Sequence, residues 1–419
     1  MKFNKKLENK IRIGIYTYSL KNGGLQKLTS LIIKYFLKEK IYDLFIYTKL
    51  PKEKNEYTIP NNISRTVIKN PRLQNLINQT IKNNIDILIY NFYDHKEIKI
   101  LNSLEKVKTI FYIHQSFLYW IYFDYFMFIS LYKSYQECKY VIALVPFEND
   151  FLFKRWGIRS ILMNNFISYE FNSITPSDLS SKTILMIGRC ENLLKRCDLG
   201  IKAMKYIIQE IPDCKMKIIS EIFPFSRLTN LTKNSNLDNN VFFVGYSSKP
   251  EKYFKDASLH IFTSISESFG LVLSETKLYG IPNILLGLDY LTISEGGTII
   301  IYDDKPETIA DEAIKVIKNF TLRKILGINA RNSMKIVNNK LILKKWNKII
   351  LSIFNGDSYY QRLRKRDKKL DIKQSKKLIQ NQLNLLKKRE KAFNKTKLKN
   401  LLNFKYMESL KKFYEKRNL

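Results

Sequence analysis

Short apolar runs alternate with amphipathic stretches along most of the chain, and this alternation limits the fold more than any other feature. Between the first run and the second, leucines and isoleucines recur at helical spacing. Alternating strands and helices predict a parallel sheet with helices packed on its faces, the α/β class. The predicted strands of this first series are RIGIYTYS (12–19), YDLFIYT (42–48), DILIYNF (86–92), KTIFYIH (108–114) and YVIALVP (140–146).

A second series of the same kind begins after a polar segment. Residues 167–182 are rich in Ser, Thr and Pro and are predicted to be a linker. The strands predicted after it are TILMIG (183–188), KMKIIS (215–220), NVFFVG (240–245), LHIFTS (259–264), PNILLG (282–287) and GTIIIYDD (297–304). We therefore expect two doubly wound domains, 1–168 and 183–340, then a terminal helix over 341–355 that can cross back to the first domain, and a basic helical tail over 356–419.

The tail carries a disproportionate share of the positive charge. It has 21 Lys or Arg and 6 Asp or Glu, which is +15 of the formal +34 of the whole chain. Such a surplus, interspersed with Leu, Phe and Tyr, predicts peripheral association with an anionic membrane surface. The alternative is a solvated extension whose composition follows AT-rich coding DNA. No specific nucleic-acid partner is expected.

Cysteine spacing and apolar segments bear on the compartment. The four cysteines lack any C-x-x-C or zinc-type spacing, which favours a reduced, cytoplasmic setting. The first residues lack the apolar segment of a signal peptide. The stretch FLYWIYFDYFMFISLY (117–132) is shorter than the ~20 residues of a membrane-spanning helix and contains Asp124. We expect it to be a buried helix rather than a membrane-facing one, in a cytoplasmic protein whose tail contacts the membrane.

The stretch SISESFGLVLSE places two carboxylates, Glu267 and Glu275, on either side of a Phe-Gly pair. It follows a predicted strand and begins a predicted helix, with Ser266 or Ser268 as the expected cap. Gly270 lets a ligand approach the backbone, and a helix N-terminus favours phosphate. Glu267 is predicted in the turn before the helix and Glu275 within it, up to ~12 Å apart along the axis if both were helical, so the two acids can bind hydroxyls at the two ends of one ligand. The alternative is a pair of solvent-facing glutamates favoured by the helix dipole.

A second motif lies at the start of the predicted second domain. MIGRCENLLKRCDLGIKAM (186–204) is a strand, a turn and a helix, with Arg189 ending the strand and Lys195 and Arg196 before the helix. Cations in this position can neutralise a diphosphate leaving group through charge-assisted hydrogen bonds. A basic loop without such a context is usually only solvated.

Together these motifs resemble the family-4, group 1 glycosyltransferases of the GT-B fold. ESFGLVLSE resembles the family's E-x7-E motif, GR…KRCDLGIKA its G-R…K motif, NGGLQK its Gly-Gly loop and FYIHQ its strand-end histidine. The resemblance covers roughly residues 11–350. It departs at Lys27, where the family has arginine, and in one extra residue between Arg189 and Lys195, so that Arg196 can share or take the lysine's role.

The resemblance implies two Rossmann-like domains facing across a cleft, with a donor between them. The catalytic residues that it implies are Glu267 facing the transferred sugar, His114 near the sugar and the acceptor, and Arg189 and Lys195 on the diphosphate. For His114 the alternative is a core histidine that closes a strand. The donor-binding residues that it implies are Gly23, Gly24, Arg189, Lys195, Arg196, the amides of Ser268, Phe269, Gly270 and Leu271, and Glu275 on the ribose.

The implied function is transfer of a hexose from a nucleotide diphosphate sugar to a saccharide or lipid-linked acceptor, with retention of configuration, in cell-surface polysaccharide assembly. Neither a metal nor a cofactor beyond the donor is expected, since Arg and Lys would supply the electrostatic stabilisation. Two alternatives stay open. One is a non-catalytic GT-B scaffold that binds acidic polymer or membrane through its tail, and the other is a nucleotide-sugar epimerase, which needs no acceptor.

Overall fold

The computed structural model describes residues 10–21, 23–123, 125–190, 194–220, 226–366 and 372–392. The chain divides into two compact units. The first unit contains the described residues within Met1–Trp120, Phe126–Phe166 and Asn339–Lys369, and the second those within Ile121–Tyr125, Ile167–Asn338 and Leu370–Leu419. The change of unit at Phe166 lies next to the polar segment from which a linker was predicted.

Each unit is built on one parallel sheet. In the described part of the chain, the first sheet has seven strands in the order β3-β2-β1-β4-β5-β6-β7, and the second has six in the order β10-β9-β8-β11-β12-β13. The strands are β1 Ile11–Thr17, β2 Tyr42–Thr48, β3 Ser64–Val67, β4 Ile87–Tyr90, β5 Lys108–Tyr112, β6 Tyr140–Ala143, β7 Ile161–Leu162, β8 Thr183–Ile187, β9 Lys215–Ile219, β10 Val241–Phe243, β11 Leu259–Phe262, β12 Asn283–Leu286 and β13 Thr298–Ile301.

The helices alternate with these strands and cover the sheets. They are α1 Gly24–Phe36, α2 Arg72–Lys82, α3 His95–Ser103, α4 Phe117–Phe123, α5 Tyr125–Gln136, α6 Pro146–Trp156, α7 Cys197–Glu210, α8 Arg227–Asn234, α9 Leu271–Leu278, α10 Pro306–Lys318, α11 Phe320–Ser333, α12 Asn339–Asn355, α13 Tyr359–Arg366 and α14 Ile372–Ala392.

Two edge strands of the first unit, β3 and β7, were not predicted. The sequence of β3, Ser-Arg-Thr-Val, is polar and partly exposed, and β7 has only two residues. Neither has the run of apolar side chains by which a central strand is recognised, since an edge strand is covered less completely.

The aromatic stretch 117–132 forms two helices, α4 and α5, rather than one. Phe117, Leu118, Phe128 and Leu131 on these helices are buried, as expected of a core element. Across the residues that the structure describes, no helix is both long enough and apolar enough to cross a bilayer.

The last predicted elements belong to different units. Helix α12 is part of the first unit, where the Trp346 ring packs edge-on against Phe36 at 5.6 Å and the Asn347 amide oxygen accepts a hydrogen bond from the Tyr42 hydroxyl at 2.7 Å. Helix α14 is part of the second unit. Residues 367–371 and 393–419 of the predicted tail lie outside the described residues.

Four apolar residues of α14 are buried. Ile379, Leu383, Leu385 and Leu386 are all buried within the second unit. These four side chains, which contributed to the prediction of a membrane-binding tail, are therefore already covered by protein.

The core of the second unit explains one glycine. Met186 of β8 packs beneath α7, and a Cβ added at Gly200 would meet its sulfur at 2.3 Å. Glycine therefore lets α7 lie close to the sheet and brings its first turn to the end of β8, where the predicted diphosphate motif lies.

Candidate active site

The loop after β8 carries the predicted cations and is tied to the segment after β11. The Leu194 carbonyl accepts a hydrogen bond from the Ile265 amide at 3.0 Å. The Lys195 carbonyl accepts one from the Thr263 hydroxyl at 2.7 Å. Because both segments follow strands of one parallel sheet, the G-R…K and E-x7-E motifs meet at its carboxyl edge.

The first carboxylate of the E-x7-E motif is paired with a cation. The Lys195 ammonium contacts the Glu267 carboxylate, and the two side chains are 22% and 16% exposed. The backbone of Glu267 is held by the Tyr290 hydroxyl, which accepts from its amide at 3.1 Å and donates to its carbonyl at 2.9 Å. A fixed carboxylate beside a partly exposed ammonium can act on a ligand that carries both hydroxyls and phosphate.

The second carboxylate lies deeper. Glu275 is in the second turn of α9 and is 1% exposed, and it accepts a hydrogen bond from the Ser168 hydroxyl at 2.6 Å. A hydroxyl therefore already occupies one of its acceptor positions. A sugar hydroxyl is the same kind of donor, so a ribose can replace or add to that contact.

The start of α9 differs from the expectation. The residue before the helix is Gly270, in the left-handed conformation at φ 82°, and no side chain caps the helix. The predicted cap by Ser266 or Ser268 is therefore wrong, because the left-handed turn at Gly270 separates those serines from the first turn. The Ser266 hydroxyl is buried and has no hydrogen-bond partner among the described residues. The helix begins at Leu271, so its first amides lack intrahelical acceptors, as the donor-site prediction requires.

The three predicted cations are arranged differently from one another. Arg189 is exposed and makes no side-chain hydrogen bond or ion pair with any residue that the structure describes. Arg196 precedes α7 with φ 46° and donates a hydrogen bond to Asp304 at 3.0 Å, and its Nε lies 3.5 Å from an oxygen of Asp198. Lys195 and Arg196 thus contact different carboxylates, Glu267 and Asp304.

Two residues of this edge were missed by the sequence analysis. Asp304 follows β13 and lies between Arg196 and Arg389, a buried residue of α14. The aspartate pair after GTIII was the available signal for Asp304. Arg389 gave no signal, because it is one of many basic residues in the tail.

Two cysteines of the same loop are joined. Cys190 and Cys197 form a disulfide with a Cα–Cα distance of 5.3 Å, because the end of β8 lies next to the first turn of α7. This differs from the expectation of four reduced cysteines. Cys138 and Cys214 are free and buried.

In the first unit, the predicted residues lie at the carboxyl edge of the first sheet. Gly23 has φ 153° and precedes α1, and Gly24 is its exposed first residue, where an added Cβ would meet nothing within 4 Å. His114 follows β5, is 8% exposed, and its Nε2 lies 2.9 Å from the amide oxygen of Asn91, which follows β4. Burial lowers the pKa of His114 to about 3, so the ring is neutral at physiological pH.

A buried carboxyl lies near this edge and was also missed. Glu148 in the first turn of α6 is 1% exposed and accepts hydrogen bonds from the Phe117 amide at 3.2 Å and the Tyr132 hydroxyl at 3.4 Å. Its second oxygen has no partner among the described residues. Burial raises the pKa of Glu148 to about 8, so the folded protein holds it protonated at neutral pH.

No group of three or more His, Cys, Asp or Glu residues in the described ranges is arranged to hold a metal ion. The residues that come together in the second unit are instead alternating cations and carboxylates. Such a set can bind a ligand that has a diphosphate and several hydroxyls.

Comparison with known proteins shows what this chain is similar to. Residues 170–333 match the family model of the glycosyl transferases group 1. The poly(ribitol-phosphate) alpha-N-acetylglucosaminyltransferase of Staphylococcus aureus is 25% identical over 201 residues, 46% of this chain and 40% of that protein. The chain spans less than half the length of the first curated relatives it matches.

Solved structures agree on the fold. Sucrose-phosphate synthase from Thermosynechococcus elongatus superposes with a TM-score of 0.71 at 15% identity, over 83% of this chain and 100% of that one. A point mutant of S. aureus TarM, in complex with fondaparinux, alpha-GlcNAc-glycerol and UDP, gives 0.68 at 15% identity, over 83% and 100%. The prediction of a GT-B fold is confirmed, and the group 1 resemblance is confirmed through the residues that the family model matches.

Proposed function

We propose that this chain, whose residues 170–333 match the group 1 glycosyl transferases, moves a hexose from a nucleotide diphosphate sugar to a saccharide or lipid-linked acceptor. The observation that carries the proposal is the contact of Lys195 with Glu267 at the carboxyl edge of the second sheet, beside the first amides of α9. The TarM structure, with UDP and alpha-GlcNAc-glycerol, is of a protein with the same fold.

Donor binding would replace the ion pair between Lys195 and Glu267 by an ion pair between Lys195 and the diphosphate. A diphosphate carries more charge than one carboxylate, so it can draw the Lys195 ammonium away from Glu267 while Arg189 joins from the surface. Glu267 is then free to accept hydrogen bonds from the sugar. Glu275, with a hydroxyl already bound, would accept the ribose hydroxyl, and Gly23 and Gly24 stay predicted donor-binding residues.

The transfer itself would proceed with retention. The bond between sugar C1 and the diphosphate oxygen breaks, and the acceptor oxygen forms its bond to C1 on the same face. The acceptor proton goes to the departing diphosphate. Glu267 stabilises the positive charge that develops on the sugar, and the neutral His114 donates or accepts a hydrogen bond without transferring a proton.

A metal is not required by this scheme. Asp303 and Asp304 are adjacent acids near the site, but Asp304 is engaged by Arg196 and Arg389. We expect full transfer in excess EDTA, measured as nucleotide release. Loss of transfer in chelator that manganese or magnesium restores would overturn this expectation.

We also propose that residues 356–419 contact an anionic membrane surface. For α14 this proposal rests on its positive charge alone, because four of its apolar residues are buried. The full chain should sediment with anionic vesicles at low salt and be released as salt is raised, since each basic residue near such a surface contributes ~1 kcal/mol. Equal sedimentation with neutral vesicles would contradict it.

The function is tested by screening nucleotide sugars for a rise in melting temperature and then assaying transfer. A ligand at 100 times its Kd adds ~2.7 kcal/mol of stability. Arg189→Ala should weaken donor binding, and Lys182→Ala, beyond the opposite end of β8 and paired with Asp213, is the matched control. Conversion of the donor without any acceptor would favour the nucleotide-sugar epimerase. If neither the wild type nor the variants bind any donor, the non-catalytic scaffold is favoured.

A further inference from the structure

Helix α14 lies against the loops that follow β12 and β13. The Gln382 amide donates to the Gly287 carbonyl at 2.7 Å and to Asp289 at 3.1 Å. Lys388 donates to the Tyr302 carbonyl at 2.9 Å. A Cβ added at Gly287 would meet a methyl carbon of Leu385 at 2.1 Å, so the helix is seated directly on this turn.

One buried arginine links the helix to the predicted donor site. Arg389 is 2% exposed, and its Nε and Nη2 donate to the Asp304 carboxylate at 3.0–3.2 Å. The same carboxylate accepts from Arg196 at 3.0 Å. Asp304 is thus held between an arginine of α14 and the arginine next to Lys195.

A second path from the helix reaches Glu267. Asn381 and Gln382 both hold the Asp289 carboxylate, and the next residue, Tyr290, makes two hydrogen bonds to the Glu267 backbone. The loop that carries Lys195 and Arg196, here called the cation loop, is therefore connected to α14 through Asp304. The segment of Glu267 is connected to α14 through Tyr290 and Asp289.

We propose that α14 is a positioning element of the donor site, and that Arg389 acts through Asp304 to hold Arg196 and, with it, the loop that carries Lys195. Asp304 and Arg389 are positioning residues in this assignment. The donor-binding consequence rests on the proposed function, whereas the loop-holding consequence does not.

The charge chemistry favours positioning over simple stabilisation. A buried ion pair contributes little net stability, because the cost of removing both charges from water offsets their attraction. A planar guanidinium that contacts both carboxylate oxygens does fix direction and distance. The arrangement Arg389–Asp304–Arg196 therefore acts mainly on geometry at the cation loop.

Binding of nucleoside diphosphates by the full chain gives the first test. UDP, GDP, ADP and dTDP are titrated by calorimetry into wild type, R389A, R389K, R196A, the R389A/R196A double variant and Q380A. Gln380 is on the same helix and bonds only to Asn384 in the described contacts, so Q380A is the matched control.

We expect R389A and R196A each to weaken binding of the preferred diphosphate about tenfold, the size of one charge-assisted hydrogen bond. Because Arg389 acts through Arg196, the double variant should bind no more weakly than R196A alone. R389K should bind with an intermediate Kd, and Q380A like wild type. Wild-type binding in R389A, or a double variant weakened by the product of the two effects, would overturn the proposal.

Hydrogen exchange of the segment 194–197 separates this proposal from the proposed function. Faster exchange in R389K than in wild type and Q380A supports the positioning role, whether or not a nucleotide binds. Absence of nucleotide binding would contradict only the proposed function. Unchanged exchange in both R389K and R389A overturns the positioning role. Since R389K keeps the charge and most of the volume, its melting temperature also reports whether the unit stays folded.

Discussion

The carboxyl edges of the two sheets hold their polar groups in opposite ways. At the second edge the predicted site residues are charged and mostly paired: Lys195 contacts Glu267, and Arg196 is bound by Asp304. Each pair is partly exposed, so an anionic ligand can take over one partner. This edge is suited to a ligand that brings its own charge.

At the first edge the corresponding groups are neutral. His114 is buried with a lowered pKa, and Glu148 is buried with a raised one, so each is held in its uncharged form. Arg72 does form an ion pair with Glu97 at 2.5 Å, but that pair joins α2 to α3. The difference concerns the candidate site residues: Lys195 and Arg196 at the second edge are charged and paired, whereas His114 and Glu148 at the first edge offer hydrogen bonds without charge.

Glu267→Gln should show the largest effect if the charged edge is catalytic. A carboxylate beside developing positive charge stabilises the transition state more than the ground state, so kcat should fall about 10²–10³-fold with little change in donor KM. Steady-state kinetics with the donor varied at saturating acceptor measures both constants. A change in KM alone would assign Glu267 to ground-state binding.

Glu275→Gln should act on the other constant. A ribose contact is made equally in both states, so the donor KM should rise about 10- to 150-fold, which corresponds to ~1.5–3 kcal/mol, while kcat is retained. The same kinetic series measures it. If kcat is abolished and KM is unchanged, the two glutamates have exchanged roles.

Glu148→Gln tests the neutral edge through stability. The pKa of Glu148 in the folded protein, about 8, lies above the ~4.3 of an unfolded glutamate. The contribution of the protonated carboxyl to the free energy of unfolding is therefore fully present below pH 4.3 and is lost as the pH rises toward 8. Glutamine cannot ionise, and the variant should gain about 3–4 kcal/mol over wild type at pH 7 but little at pH 4.5. Thermal melts of wild type and variant at both pH values measure this difference in stability. An equal difference at pH 7 and pH 4.5 would contradict the raised pKa of Glu148.

His114 should produce the smallest effect. With its pKa at about 3, the ring stays neutral from pH 5 to 8, so it should add no inflection to the pH profile of kcat. His114→Asn should lower kcat while leaving the shape of that profile unchanged. An inflection near pH 6.5 that disappears in the variant would show that the ring titrates during catalysis.

Local sequence determined most of the fold and part of the site. The apolar runs specified the central strands of both sheets, because a strand buried on both faces must be apolar along its length. The strand followed by the Phe-Gly pair placed the start of α9 near Gly270, with Glu267 before the helix and Glu275 within it. The edge strand β3 was not predicted, because partial exposure removes the apolar pattern on which the prediction of a strand depends.

Only the tertiary structure decided which charges meet. The sequence named Lys195 and Arg196 as candidates for the same role, but their side chains contact different carboxylates, Glu267 and Asp304. Arg389 is separated from Asp304 by 85 residues, and a basic helix gives no local sign of which one of its cations is buried. Apolar periodicity is a property of neighbouring residues and can be read along the chain, whereas an ion pair between distant residues exists only once the strands and helices that carry them have packed.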